Sequence, residues 1–217
     1  MKRVLVIGSS GAFGTLFCDK LAQAGYQVLG TARNTEAFPA SVELSLRLDL
    51  EDPSSIDTLA NYLISENLEL NGIIQAAGAV GFGKIEETSA ENANRLMQIN
   101  HLGPASLITK LSPLMTEESF VIGITGVVSE KVFPGMSAYT SSKMAFAAFL
   151  SNLHLEWRRR KIQVLDAKPG HTETGLASRA IFGTAPAFPQ GMTSDHVVST
   201  ILAGLAEGKN LLASTDF

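Results

Sequence analysis

Short apolar runs alternate with longer stretches of mixed polarity along the whole chain. Val4-Leu5-Val6-Ile7 is rich in β-branched residues and stops at a glycine, which predicts a buried strand. Residues 12–24 carry Phe13, Leu16, Phe17, Leu21 and Ala24 at helical spacing, and Gly25 suits the position just past a helix end. Strands are predicted over 27–31 and 42–48, then a helix from Asp52-Pro53 to about residue 65 with proline in its first turn. A fourth strand is predicted over 72–77 and a fifth over 120–124, separated by helices over 90–98 and 105–115. A long helical pattern covers 138–160, a sixth strand 163–167, a last helix 194–206, and a short final strand 211–213. This cadence implies right-handed βαβ crossovers, hence an α/β fold with one doubly wound parallel sheet and helices on both faces. Nothing in the chain reads as a repeat or a charge-rich linker, so a single domain over 1–217 is expected.

Composition narrows what such a domain does. The 217 residues are 45% hydrophobic with a formal net charge of -4, which lacks the basic footprint of a nucleic-acid binder. One cysteine builds no disulfide framework, and no Cys/His cluster has metal spacing, so a reducing compartment and no metal are expected. Met1-Lys2-Arg3 ahead of the first apolar run looks like a leader, but that run is too short and Gly8-Ser9-Ser10-Gly11 breaks it. No stretch approaches the roughly 18 charge-free apolar residues of a membrane span. A cytoplasmic protein is expected.

Two clusters carry candidate chemistry. Gly8-Ser9-Ser10-Gly11-Ala12-Phe13-Gly14 joins the first strand to the first helix, where backbone N–H groups and the helix N-terminus receive a dinucleotide pyrophosphate in such folds. At the end of the second strand an acid would serve the ribose hydroxyl of NAD(H). The chain has Arg33 there and no acid, which favours NADP(H) over NAD(H), because a guanidinium pairs with a 2′-phosphate. Farther on, Tyr139 and Lys143 stand four residues apart on the long helix, so phenol and ammonium share one face. A neighbouring cation favours the phenolate and lowers the tyrosine pKa toward working pH.

With these residues in place, the chain resembles the short-chain dehydrogenase/reductase family over nearly its whole length. The glycine turn comes first, and Asp49-Leu50 follows where the family contacts adenine. Gln75-Ala76-Ala77-Gly78 resembles its Asn-Ala-Ala-Gly turn and Asn100-His101-Leu102-Gly103 its Asn-x-x-Gly segment. Tyr139 and Lys143 match the catalytic pair, and Pro169 through Thr174 matches Pro-Gly-x-x-x-Thr. The resemblance implies a carbonyl reductase or alcohol dehydrogenase acting on a small carbonyl or alcohol. Tyr139 would be the proton donor, and Lys143 would anchor the nicotinamide ribose and depress the tyrosine pKa. Asn100 would hold a relay water through its backbone, and Thr172 and Thr174 would bind the carboxamide. Cofactor contacts are expected from Gly8, Ser10, Gly11, Ala12, Phe13, Gly14, Arg33, Asp49, Leu50, Ala76, Ala77, Gly78, Asn100, Tyr139, Lys143, Pro169, Gly170, Thr172 and Thr174.

Three departures stand out. The glycine spacing is Gly-x-x-Gly-x-x-Gly, the form of the family's extended branch, and Gln75 replaces an asparagine that ties strands together. The family's carbonyl-polarising serine, thirteen residues before the tyrosine, is Gly126. Thr125 is the candidate to take over, with Ser129 a second. Losing one such donor typically costs about 100- to 1,000-fold in rate. A dinucleotide-binding regulator or sensor with weakened catalysis is therefore the competing function.

The remaining features have plainer explanations. Residues 175–193, with Phe182, Pro186, Phe188 and Pro189, match the family's substrate lid and together with Met136 point to a small apolar pocket. His171 is a possible pocket residue, whereas His101, His154 and His196 read as structural or surface groups and Cys18 as a buried hydrophobe. The pairs Glu51-Asp52, Glu86-Glu87 and Glu117-Glu118 read as first-turn or solvated charges, and the basic run 158–161 as a helix end. Met144, Phe146, Phe149, Leu150, Leu153 and Trp157 leave the long helix more apolar than one sheet face needs, so a homodimer or homotetramer through 138–160 is expected.

Overall fold

Strand β1 (Arg3–Ile7) alternates its side chains between two cores. Leu5 and Ile7 join one apolar cluster, Val4 and Val6 the other, and all four are fully buried. The computed structural model describes residues 2–34 and 37–217, so Met1 of the leader-like start, Thr35 and Glu36 lie outside it. Helix α1 (Ala12–Gln23) follows and ends at Ala24, with Gly25 at φ 84° as the sequence predicts. Next come β2 (Gln27–Ala32), β3 (Leu44–Arg47) and α2 (Pro53–Ser65). Asp52 caps α2 by accepting the Ser54 N–H, and Pro53 occupies a first-turn position where its missing N–H costs nothing.

After β4 (Leu70–Gln75) the two predicted helices prove to be one continuous rod. Helix α3 (Ala90–Met97) runs through a π turn at Gln98–Leu102 into α4 (Gly103–Leu111). The predicted continuation to Met115 does not occur, because Pro113 has no N–H to extend the ladder. One 3₁₀ turn replaces it, and Met115 instead opens β5 (Met115–Ile124), longer at its start than predicted. Helix α5 (Ser137–Trp157), β6 (Gln163–Ala167), α6 (Ser194–Ala206) and β7 (Leu211–Leu212) complete the chain.

The seven strands form one parallel sheet in the order β3-β2-β1-β4-β5-β6-β7. Helices α2, α4 and α5 cover one face, and α1 and α6 the other. Chain direction across the sheet reverses between β1 and β4, and the crevice beyond strand ends at such a reversal is where ligands bind in open α/β sheets. No helix among the described residues is long and apolar enough to cross a membrane, and none of their His, Cys, Asp and Glu side chains cluster as a metal site.

Candidate active site

A cleft of about 780 Å³ opens at this reversal point, along the carboxyl edge of the sheet. One end is the turn between β1 and α1. Gly8 holds φ 83°, a conformation that favours glycine, and a Cβ on Gly14 would collide with the Gly8 carbonyl. Gly14 is thus a packing residue, whereas Gly8, Ser10, Gly11, Ala12 and Phe13 face the cleft. The amides that open α1 receive no side-chain cap from Gly11, and no acid stands in the first turn. An uncapped helix N-terminus facing a cleft attracts an anion. Arg33, Asp49 and Leu50 continue the lining, followed by Ala76, Ala77 and Gly78 beyond the end of β4, where the strand stops two residues before the predicted 77.

Glu51 corrects a sequence expectation. It is not a solvated charge: Arg95 of α3 grips it through two hydrogen bonds, of 2.7 and 3.3 Å. That guanidinium, helped by the charge on Arg33, holds the Glu51 carboxyl below the usual carboxylate range. Asp52 behaves as expected, as the exposed cap of α2.

The other end of the cleft holds Tyr139 and Lys143 on α5, with the Lys143 Nζ 6.0 Å from the phenol ring centre. Nζ donates to the Ile124 carbonyl at 2.8 Å. A Cβ built on Gly78 would lie 3.5 Å from Nζ and 3.4 Å from Asn100 Oδ1, so the three share one corner. Asn100 sits in the π turn, the kind of irregularity that often marks functional sites. Its side chain clamps Ala79 through both the N–H and the carbonyl, at 2.9 and 2.8 Å, and donates to Ser142 Oγ at 3.0 Å. The clamp ties the rod of α3 and α4 to the β4 turn and to α5.

Burial governs both titratable groups. It pushes the Tyr139 phenol up to about 12 and pulls the Lys143 ammonium down to about 8, with Asp166 opposing the fall. The lowered tyrosine pKa expected from i, i+4 spacing is therefore not found within the protein itself. Desolvation outweighs a cation that is directed to a backbone carbonyl rather than to the phenol oxygen.

At the serine position, Gly126 has φ 78°, so the backbone itself departs from what a serine adopts readily. Thr125 borders the cleft, yet its hydroxyl donates to Asp166 Oδ1 at 2.5 Å. Ser129 donates to the Gly126 carbonyl at 2.8 Å. Each hydroxyl has one proton and each proton is engaged within the protein, so Thr125 or Ser129 would have to give up that bond to polarise a substrate carbonyl. Asp166, absent from the sequence-based site, was signalled by a lone carboxylate inside an apolar strand pattern.

The cleft closes over Pro169, Gly170, His171, Thr172 and Thr174. Phe188 stacks on His171 at 4.6 Å, and Glu173 lies 3.5 Å from the His171 Nε2 while accepting the Gly191 N–H. The segment 175–193 is tied on its other side by Ile181 N–H to the Val80 carbonyl and Phe82 N–H to the Phe182 carbonyl. Pro186, Phe188, Pro189 and Met136 line the cleft, while Phe182 instead covers Gly81.

The chain is similar to known proteins in sequence and in fold. A dehydrogenase/reductase SDR family member 7B from Bos taurus is 27% identical, with 98% of this chain and 73% of that protein covered. The short chain dehydrogenase pigC from Monascus ruber is 25% identical over 81% of this chain and 64% of that protein. Among solved structures, a short-chain dehydrogenase from Sphingobium yanoikuyae in complex with NADPH superposes with a TM-score of 0.87 at 22% identity, covering 98% of this chain and 87% of that one. A Burkholderia cenocepacia short chain dehydrogenase in complex with NADP gives 0.85 at 18% identity, covering 98% and 89%. Residues 2–181 match the family described as short chain dehydrogenase, and the chain belongs to that family of oxidoreductases.

Proposed function

We propose that this single-domain protein transfers a hydride between NADP(H), favoured over NAD(H), and a small carbonyl or alcohol. The observation that carries this is one cleft with an uncapped helix N-terminus and Arg33 at one end and Tyr139 and Lys143 at the other, with Asn100 buried beside that pair rather than lining the cleft. The residues present fit a phosphorylated dinucleotide: amides without a carboxylate among them, a guanidinium at the end of β2, and turns narrow enough for backbone approach. Gly8, Ser10, Gly11, Ala12 and Phe13 would hold the pyrophosphate, Asp49 and Leu50 the adenine, and Thr172 and Thr174 the carboxamide. The bound cofactor supplies the hydride.

Tyr139 gives its proton to the carbonyl oxygen of the substrate, and its raised pKa keeps that proton in place until charge develops on the oxygen. Lys143, an ammonium below about pH 8, adds positive charge beside it. Asn100 fixes the corner they share. With the protons of Thr125 and Ser129 engaged, Tyr139 acts on the carbonyl without a second hydroxyl donor. Phe82, Val128, Leu176 and Phe188 make the substrate end apolar.

The test is NADPH oxidation by wild type and Tyr139→Phe against aldehydes, ketones and diketones, with NADPH binding measured in parallel. A loss of about 10²- to 10⁴-fold in turnover with cofactor affinity kept is expected. Turnover unchanged in the variant overturns it. The second reading, a cytoplasmic dinucleotide-binding sensor, draws on Gly126 and predicts NADPH binding with no turnover of any carbonyl. The homo-oligomer proposed through 138–160 has less surface than the sequence implied: Phe146, Leu150, Leu153 and Trp157 are buried within the chain. Met144 and Leu155 remain exposed on α5, as does Leu102 at the end of the π turn.

A further inference from the structure

Asp166 is a carboxylate only 5% exposed inside a parallel sheet, a costly place for a charge without partners. Side chains alternate along β6: Val164 packs with the helices of one face, Leu165 and Ala167 with those of the other. Asp166 therefore follows Val164 and points beneath α5, the helix that carries Lys143. Its neighbour in register on β5 is Gly123, which has no side chain to intervene. Oδ1 accepts from Thr125, and Oδ2 lies 3.7 Å from the Lys168 Nζ. Lys143 reaches the same strand end from above, donating to the carbonyl of Ile124, the residue before Thr125.

We propose that Asp166 is a positioning residue for Lys143: through Thr125 it fixes the end of β5 that presents the Ile124 carbonyl, and it supplies the negative charge that keeps the buried amine an ammonium ion. This rests on the role proposed above for Lys143. Burial lowers the proton affinity of Lys143 and raises that of Asp166, while each charge opposes the other's shift. The other titratable groups facing the pair are Tyr139, on the same helix as Lys143, and Lys168, beyond the end of β6. Tyr139 keeps its proton through the working range, and burial raises the proton affinity of Asp166 while Thr125, Lys168 and Lys143 favour its ionised form. Asp166 is thus the anion that answers Lys143. Substrate and cofactor need not touch it.

The experiment follows the ¹³Cε resonance of Lys143 in lysine-labelled protein against pH, assigned by its disappearance in Lys143→Met. A midpoint near 8 is expected in wild type. In Asp166→Asn it falls by about one pH unit, a tenfold loss of proton affinity. Thr125→Val, which keeps the carboxylate and removes its hydroxyl partner, shifts it the same way by less. A merely structural role lowers stability and leaves the midpoint where it is, so an unmoved midpoint in Asp166→Asn overturns the proposal. If that variant does not fold, an unmoved midpoint in Thr125→Val does so. Substrate plays no part in this measurement. A moved midpoint in a protein that turns over no carbonyl supports the role of Asp166 while the reductase reading falls. An unmoved midpoint beside turnover that depends on Tyr139 does the reverse.

Discussion

Gly8 and Gly126 stand just past the ends of two strands of the same sheet, separated only by β4, and both hold a positive φ, 83° and 78°. Their chemical consequences are opposite. At Gly8 the left-handed turn brings β1 into α1 and leaves the helix amides facing the cleft, as a dinucleotide site requires. At Gly126 the same freedom removes a hydroxyl donor and lets the chain fold back, so that Ser129 bonds to the Gly126 carbonyl and Thr125 turns to Asp166. A glycine after a parallel strand is thus a statement about backbone direction. Whether it builds a site or dismantles one depends on which groups the turn then exposes.

The surroundings of the two glycines give the sharpest way to break this comparison. A Cβ on Gly8 would sit 2.8 Å from the Ala77 backbone, whereas one on Gly126 would meet only the Pro169 carbonyl, at 3.6 Å. Backbone strain of about 1–3 kcal/mol applies to alanine at either place. Only Gly8→Ala adds a clash with main chain, so it should lose clearly more stability in urea denaturation and also weaken NADPH binding. Equal losses at the two positions would show that the crowding at Gly8 is relieved by movement of the β4 turn.

Gly126→Ser asks the chemical half of the question. Since φ 78° does not suit serine, the variant is expected to lose about 1–3 kcal/mol of stability and to gain less than about tenfold in turnover. A gain in the range of about 100- to 1,000-fold, the worth of an oxyanion donor, would mean that the turn relaxes and that the native site lacks only a hydroxyl.

The sequence carried most of the architecture because strand content, helical periodicity and glycine stops agreed with one another. Every predicted strand is present, and the errors fall where local signals conflict. Pro113 ends α4 before Met115, and the rod widens around Asn100 into a π turn that no periodicity announces. In the site, the motif positions line one cleft except Gly14 and Asn100, which pack behind it, but states fixed by environment were not legible. The Tyr139 phenol moves up rather than down because both it and Lys143 are buried, and burial is not a property of spacing. Thr125 looked like a substitute serine because its hydroxyl stands one residue away. Only the facing strand shows that Asp166 holds it.

At the dinucleotide end, Arg33→Ala should weaken NADPH binding by about 10- to 100-fold, the worth of a hydrogen bond to a charged group, and leave NADH affinity nearly unchanged. Equal loss for both cofactors would place Arg33 against the adenine rather than a 2′-phosphate.

The smallest effect concerns stability against pH at the other end. Lys143 falls from its ordinary 10.5 to about 8, so between those values the unfolded chain binds more protons than the folded one. Stability attributable to this residue therefore rises as pH goes from 8 toward 10, on the order of 1 kcal/mol per unit. Tyr139 works the other way, but only above its ordinary 10, where the folded protein keeps a proton that the unfolded chain has lost. Cys18 also opposes Lys143 above its ordinary 9, because burial raises its thiol to about 12, so the window from 8 to 9 isolates Lys143. Urea midpoints measured across it should climb in wild type relative to Lys143→Met, which has no proton to release. Parallel curves would mean that the amine keeps its ordinary affinity despite burial, and that the far end of the cleft is wetter than its lining implies.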